Sequence, residues 1–158
     1  MMYIESMKRT TSLILLISLF AACTESISIN SAENALRSFF GALVKQDYQA
    51  AVNLYGGSYA ELAQMNPDVS PTDYATLWQR GCEQNGFVCM EVMEIVQVKE
   101  RDSRVEFGVT FMTKDGERFE FTGCCGEALS EPITEYVIVV EKDADGHYKV
   151  FSLPPYVP

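Results

Sequence analysis

The apolar residues of this chain recur with a period of about 3.6 as far as Gly81 and with a period of two beyond Phe87. That switch restricts the fold to one in which helices come first and an antiparallel sheet follows. Asn30, with Glu33 three residues on, has the form of a capping box, and Ala32, Leu36, Phe39, Phe40, Leu43 and Val44 then fall on one helical face. Asp47 caps a second helix carrying Tyr48, Ala51, Val52 and Tyr55, which Gly56-Gly57 should stop. A short third helix is expected over 58–65, before Asn66-Pro67. Ser70-Pro71-Thr72-Asp73 then places Ser at N-cap, Pro at N1 and an acid at N3 of a fourth helix. This helix should turn Tyr74, Leu77 and Trp78 inward and end near Gly81.

In the second half, Met90, Val92, Val96 and Val98 share one face of a strand that Glu94 interrupts. Val105, Phe107, Val109 and Phe111 alternate with Arg104, Glu106, Gly108 and Thr110, the pattern of a half-buried strand. Lys114-Asp115-Gly116 predicts a hairpin into a strand over 118–123. Asp143 to Gly146 predicts another between 136–140 and 148–153. Residues 136–140 are apolar on both faces, so that strand is expected to be the best buried. The fold class is therefore α+β, with N-terminal helices packed on a curved antiparallel sheet of about five strands. No internal repeat or second linker divides the chain.

The helix Ala35-Leu36-Arg37-Ser38-Phe39-Phe40, the junction Lys45-Gln46-Asp47-Tyr48 and the closing strand Tyr148-Lys149-Val150-Phe151 resemble a nuclear-transport-factor-2-like domain. The resemblance covers Asn30 to about Leu153. It implies a cystatin-like cone, shared with ketosteroid isomerase and the polyketide cyclases, with a pocket between helices and sheet. Members of that family include isomerases, cyclases, binding modules and assembly domains, so the resemblance does not choose an activity.

Ahead of the helices, Lys8 and Arg9 precede a short apolar run from Leu13 to Phe20 and the sequence Phe20-Ala21-Ala22-Cys23. This segment resembles a bacterial lipoprotein signal with its lipobox, although Phe20 stands where that family more often has Leu. The resemblance implies cleavage before Cys23, a diacylglyceryl group on the Cys23 thiol and further acylation of the new N-terminus. An ordinary secretory signal cut near Ala22 is the alternative. About ten apolar residues fall short of the roughly 20 that span a bilayer. Glu5 is out of place ahead of such a signal, so translation from Met7 fits better. The expected organisation is a signal over 1–22, a Ser-rich tether over 23–29 and one domain over 30–158. The expected location is the extracytoplasmic side of a bacterial envelope membrane.

Without residues 1–22 the chain keeps ten basic and 21 acidic residues, a net charge of −11. That balance opposes nucleic acid and anionic headgroups as partners and leaves membrane contact to the acyl chains. Cys82, Cys89, Cys124 and Cys125 form an even set in a chain expected to be exported, so disulfides are the default reading. Zinc is the competitor, since four thiolates are available, but the spacing lacks the paired loops of structural zinc sites. No Cys-x-x-Cys motif is present. In a meander Cys89 and Cys124 end up at opposite ends of the sheet, about 25 Å apart and beyond the reach of a disulfide. Cys82 and Cys89 are therefore expected to pair, which leaves Cys124 with its neighbour Cys125.

Glu94 is the one candidate catalytic residue, a general base if it faces the pocket. A β-bulge that turns it to solvent is the favoured alternative. His147, the only histidine, sits in a turn. Asp143-Ala144-Asp145-Gly146 looks like the start of a calcium loop but lacks the later ligands. Gly56-Gly57 is not a phosphate loop, with no strand before it and no Lys-Ser/Thr after it. Phe39, Phe40, Tyr48, Tyr55 and Trp78 fit plain core better than a ligand cavity. Leu153 to Pro158 should run extended over the surface. No cofactor motif and no metal site is read. With no acid, base and oxyanion donor to assemble, the expectation is a non-catalytic module that binds a small apolar ligand or an envelope protein. The alternative is a small isomerase or cyclase of the ketosteroid-isomerase kind that uses Glu94.

Overall fold

The computed structural model describes residues 24–123 and 131–157. Four helices, α1 Thr24–Val44, α2 Tyr48–Leu54, α3 Ala60–Met65 and α4 Tyr74–Glu83, precede four strands, β1 Glu91–Arg101, β2 Arg104–Met112, β3 Tyr136–Lys142 and β4 Tyr148–Val150. The strands pair antiparallel in the order β1-β2-β3-β4. The architecture is thus α+β with the helices ahead of an antiparallel sheet.

Helix α1 begins six residues before Asn30. Nothing between Thr24 and Ser31 is Gly or Pro, so no residue there interrupts the ladder, and Asn30 lies inside the helix rather than capping it. The Glu33 carboxylate accepts from Arg37 Nε at 2.8 Å, a partner one turn on, instead of closing a capping box. The chain leaves α1 through Gln46, whose φ of +59° lets Asp47 N–H reach the Ala42 carbonyl at 2.9 Å. Asp47 then caps α2 by accepting from Ala50 N–H, as its position implies.

The cap of α4 is Asp73, not Ser70. Its carboxylate takes both the backbone N–H and the hydroxyl of Thr76, while Ser70-Pro71-Thr72 forms a turn closed by Asp73 N–H on Ser70 O. The helix also runs on to Glu83. Leu77 and Trp78 are fully buried, as their spacing requires, but Tyr74 is 38% exposed and lies flat on Tyr59 with centroids 4.0 Å apart. Val44, expected inward, is exposed where α1 ends.

The core lies between the helices and one face of the sheet. Leu36, Phe39, Phe40 and Leu43 of α1 meet Val105, Phe107, Val109 and Phe111 of β2 and Ile138 and Val140 of β3, all essentially without solvent contact. Phe40 reaches Phe111 at 4.9 Å between centroids, and Phe39 makes an edge-to-face contact with Trp78 at 5.3 Å. Each such aromatic pair adds about 0.5–1.5 kcal/mol beyond its area.

The sheet differs from expectation at three places. Residues 118–123 do not form a full strand: they make isolated bridges, Met112 with Arg118 and Phe121 with Ile133. The best-buried strand is β2, flanked on both sides, whereas β3 leaves Val137 56% exposed because the helices cover only one face. β4 stops at Val150, and the Ser152 hydroxyl replaces the next ladder carbonyl by accepting from Val139 N–H at 2.9 Å. On the uncovered face, register places Val96 and Val137 on either side of Gly108. The Glu135 carboxylate lies over Gly108, 2.8 Å from where a Cβ would stand, so a side chain there would have to displace it.

Candidate functional site

Glu94 lies on the uncovered face of the sheet. The pairing of β1 with β2 slips between Val92 and Glu94, which makes Met93 the extra residue of a bulge and sets Glu94 opposite Thr110. Val92 and Ile95 pack toward the core, while the Glu94 side chain is 57% exposed with Arg118 Nη2 3.7 Å away. The bulge thus turns the carboxylate out of the space between helices and sheet. Met93 is itself exposed, and Ile95 resumes the inward face.

The remaining candidates divide between turn and core. His147 is exposed in the β3–β4 hairpin, where its backbone N–H donates to Asp143 Oδ1 at 2.9 Å. That bond, the Lys149 ammonium at 3.1 Å and the Asp145 N–H hold the Asp143 carboxyl below its usual range. Asp143 is therefore spent on its own turn, and among the described residues no group of three or more His, Cys, Asp or Glu could hold a metal ion. Phe39, Phe40, Tyr55 and Trp78 are buried in mutual contact. Tyr48 is half-buried at the edge of that cluster and donates to Glu83 at 3.1 Å; burial and this carboxylate push its phenol up to about 12.

Cys82 and Cys89 form a disulfide, with Cα atoms 5.5 Å apart, bridging the end of α4 and the segment before β1. Cys23, Cys124 and Cys125, and with them the lipid attachment and the second cysteine pair, lie outside the described residues. No helix among the described residues is long and apolar enough to cross a membrane.

Beside the disulfide lies a feature that residue patterns did not single out. Met65, Gln84, Asn85, Gly86, Tyr156 and Val157 line an open groove of about 340 Å³. It forms because the C-terminal segment folds back on the loop after α4: Val88 N–H donates to Pro155 O at 2.8 Å and Val157 N–H to Gly86 O at 2.9 Å. The Asn85 Oδ1, buried in the wall of this groove, has no partner among the described residues, and Thr110 Oγ1 is the other such atom. Carboxamides, one phenol and apolar side chains supply hydrogen bonds and contact area. They supply no acid–base pair at neutral pH. The one advance signal was Pro154-Pro155, which forces an extended tail without saying what it lies against. Comparison with known protein families and with characterised proteins finds no match for this sequence.

Proposed function

We propose that this chain is a lipid-anchored module of the bacterial cell envelope, with a nuclear-transport-factor-2-like domain that binds a partner and does not catalyse a reaction. The observation that carries the reading is the Cys82–Cys89 disulfide in a chain whose first residues resemble a lipoprotein signal. Disulfides persist outside the reducing cytosol, so pairing and signal point to one compartment. Helices followed by an antiparallel sheet agree with the family resemblance at the level of layers.

Binding is favoured over catalysis because Glu94 is solvated beside Arg118 and the groove presents amides and a phenol. An envelope protein suits the domain better than a small apolar ligand. Phe39, Phe40, Phe107, Phe111 and Trp78 are fully buried between helices and sheet, and the groove is open and partly polar.

The test is the intact mass and N-terminal residue of the natively produced protein, with detergent partitioning. A mature chain that begins at an acylated Cys23 and enters the detergent phase is expected, and Cys23→Ser should leave it unprocessed or release it. A mature N-terminus at any other residue would sink the anchor.

A further inference from the structure

The only backbone hydrogen bonds of residues 153–157, among the described residues, run to the loop that the disulfide closes. Val88 N–H binds Pro155 O, Val157 N–H binds Gly86 O, and Phe87 and Tyr156 form an isolated antiparallel bridge with their rings edge-to-face at 5.9 Å. The last bonds into the sheet are made earlier, by Phe151 N–H to Val139 O and by the Ser152 hydroxyl. Every main-chain tie of the tail therefore depends on the shape of the loop from Cys82 to Cys89.

That shape is demanding. Gly86 has φ of +79°, and a Cβ there would collide with the Val157 carbonyl oxygen, so the tail can approach only a glycine in the left-handed region. Within the loop the bonds are short-range: Asn85 N–H to Arg80 O, Phe87 N–H to Gly81 O and Cys89 N–H to Phe87 O. The disulfide joins the two ends across these turns. Both cysteines are half-buried at the edge of the core rather than enclosed within it. Phe87 and Val88 of the loop belong to the buried core and Leu153 and Val157 of the tail pack against it, whereas the contacts of α1 with β2 and β3, Phe40 on Phe111 among them, are made by other residues of that cluster.

We infer that the Cys82–Cys89 loop and the tail from Leu153 to Val157 form a redox-controlled clasp. Oxidised, the loop holds the tail and shapes the groove; reduced, it releases the tail and dismantles the groove while the domain stays folded. The reductant is a dithiol. One of its thiolates attacks a sulfur of the pair, forming a mixed disulfide and releasing the other cysteine as thiolate. The second thiolate of the reductant then displaces the remaining cysteine, so two electrons and two protons pass to Cys82 and Cys89 and the reductant leaves as a disulfide. From the proposed function the clasp takes only the oxidising compartment. Processing at Cys23 tests the compartment in cells, whereas the clasp is read on purified protein, so either can fail without the other.

The test is amide hydrogen exchange of the full chain, oxidised and after treatment with dithiothreitol. Reduction should speed exchange at Val157 and Val88 by at least about tenfold, the scale set by opening a small disulfide loop. Amides of α1 and β2 should keep their protection. Gly86→Ala, with the disulfide intact, should free the tail without any thiol, and Cys82→Ser/Cys89→Ser should match the reduced chain. Unchanged exchange at Val157 on reduction would overturn the clasp. So would loss of protection in α1 and β2 at the same rate as the tail, which would make the disulfide a general staple.

Discussion

Replacing Thr110 by Val should stabilise the domain, an uncommon sign for a substitution at a buried position. Thr110 is only 5% exposed although it sits on the sheet face the helices leave uncovered, and its Oγ1 is enclosed with no hydrogen-bond partner among the described residues. An enclosed hydroxyl without a partner costs about 1–3 kcal/mol on the scale of protein mutational data. Valine keeps the branched Cβ that suits a strand and places a methyl where the hydroxyl stood. Some of the gain is lost because the neighbouring bulge at Met93 leaves the pairing with Glu94 less regular. The expected net is about 1–2 kcal/mol in favour of Thr110→Val. Urea unfolding with the disulfide intact measures it: the midpoint should rise while the slope stays fixed. Thr110→Ser separates the two halves of the side chain, keeping the hydroxyl and removing the methyl, and should destabilise by about 0.5–1 kcal/mol. A lower midpoint for Thr110→Val, by about 0.5 kcal/mol or more, would show that the hydroxyl has a partner and refute the reasoning.

Glu94→Gln should change stability by less than about 1 kcal/mol, because an exposed carboxylate 3.7 Å from Arg118 gains little from the pair. Stabilisation by several kcal/mol in the same unfolding assay would instead reveal a buried acid and reopen the isomerase reading. Tyr48, Tyr55 and Tyr59 should titrate late in the folded protein, since burial raises all three and Glu83 adds to the shift at Tyr48, from 10.0 to about 12. A folded-state pKa above the unfolded one means the contribution is complete below pH 10 and is lost as pH climbs toward 12. Tyrosinate absorbance should therefore rise at higher pH in the native protein than in urea, and coincident curves would contradict the burial of these phenols.

How much could be read in advance depended on how local the cause was. The Asp47 cap, the burial of Leu36, Phe39, Phe40 and Trp78, the alternation of β2 and the hairpin at Asp143–Gly146 follow from residues within one turn of each other. The Cys82–Cys89 bond joins residues seven apart across the Asn85-Gly86 turn, whereas the strand over 118–123 that was to carry Cys124 to the far end of the sheet is reduced to isolated bridges. Where two local signals competed, sequence did not decide. Ser70-Pro71 and Asp73 are both good helix starts; Asp73 is used, its carboxylate taking the Thr76 N–H and hydroxyl, while Ser70 closes the turn before it. Residues 136–140 look like a doubly buried strand, but which faces are covered depends on where α1 lies, and Val137 faces away from it. Glu94 shows the same limit: alternation aims it inward, and only the pairing with Thr110 shows that Met93 is the extra residue.

The groove is the extreme case, because its two walls are far apart in the chain and neither carries a pattern. Leu153-Pro154-Pro155 cannot enter a helix or a central strand, so the tail must lie extended on something. Asn85-Gly86 must turn, and its glycine can take the left-handed backbone. Neither statement names the other segment. What joins them is a steric condition, a missing Cβ at Gly86 under the Val157 carbonyl, together with a bond between two cysteines that fixes the turn. A larger residue at position 86 would leave the disulfide possible, yet it would both strain the left-handed turn and push the tail away. The glycine therefore serves the tail as much as the turn, and its effect is visible only when the C-terminal segment is seen lying against it.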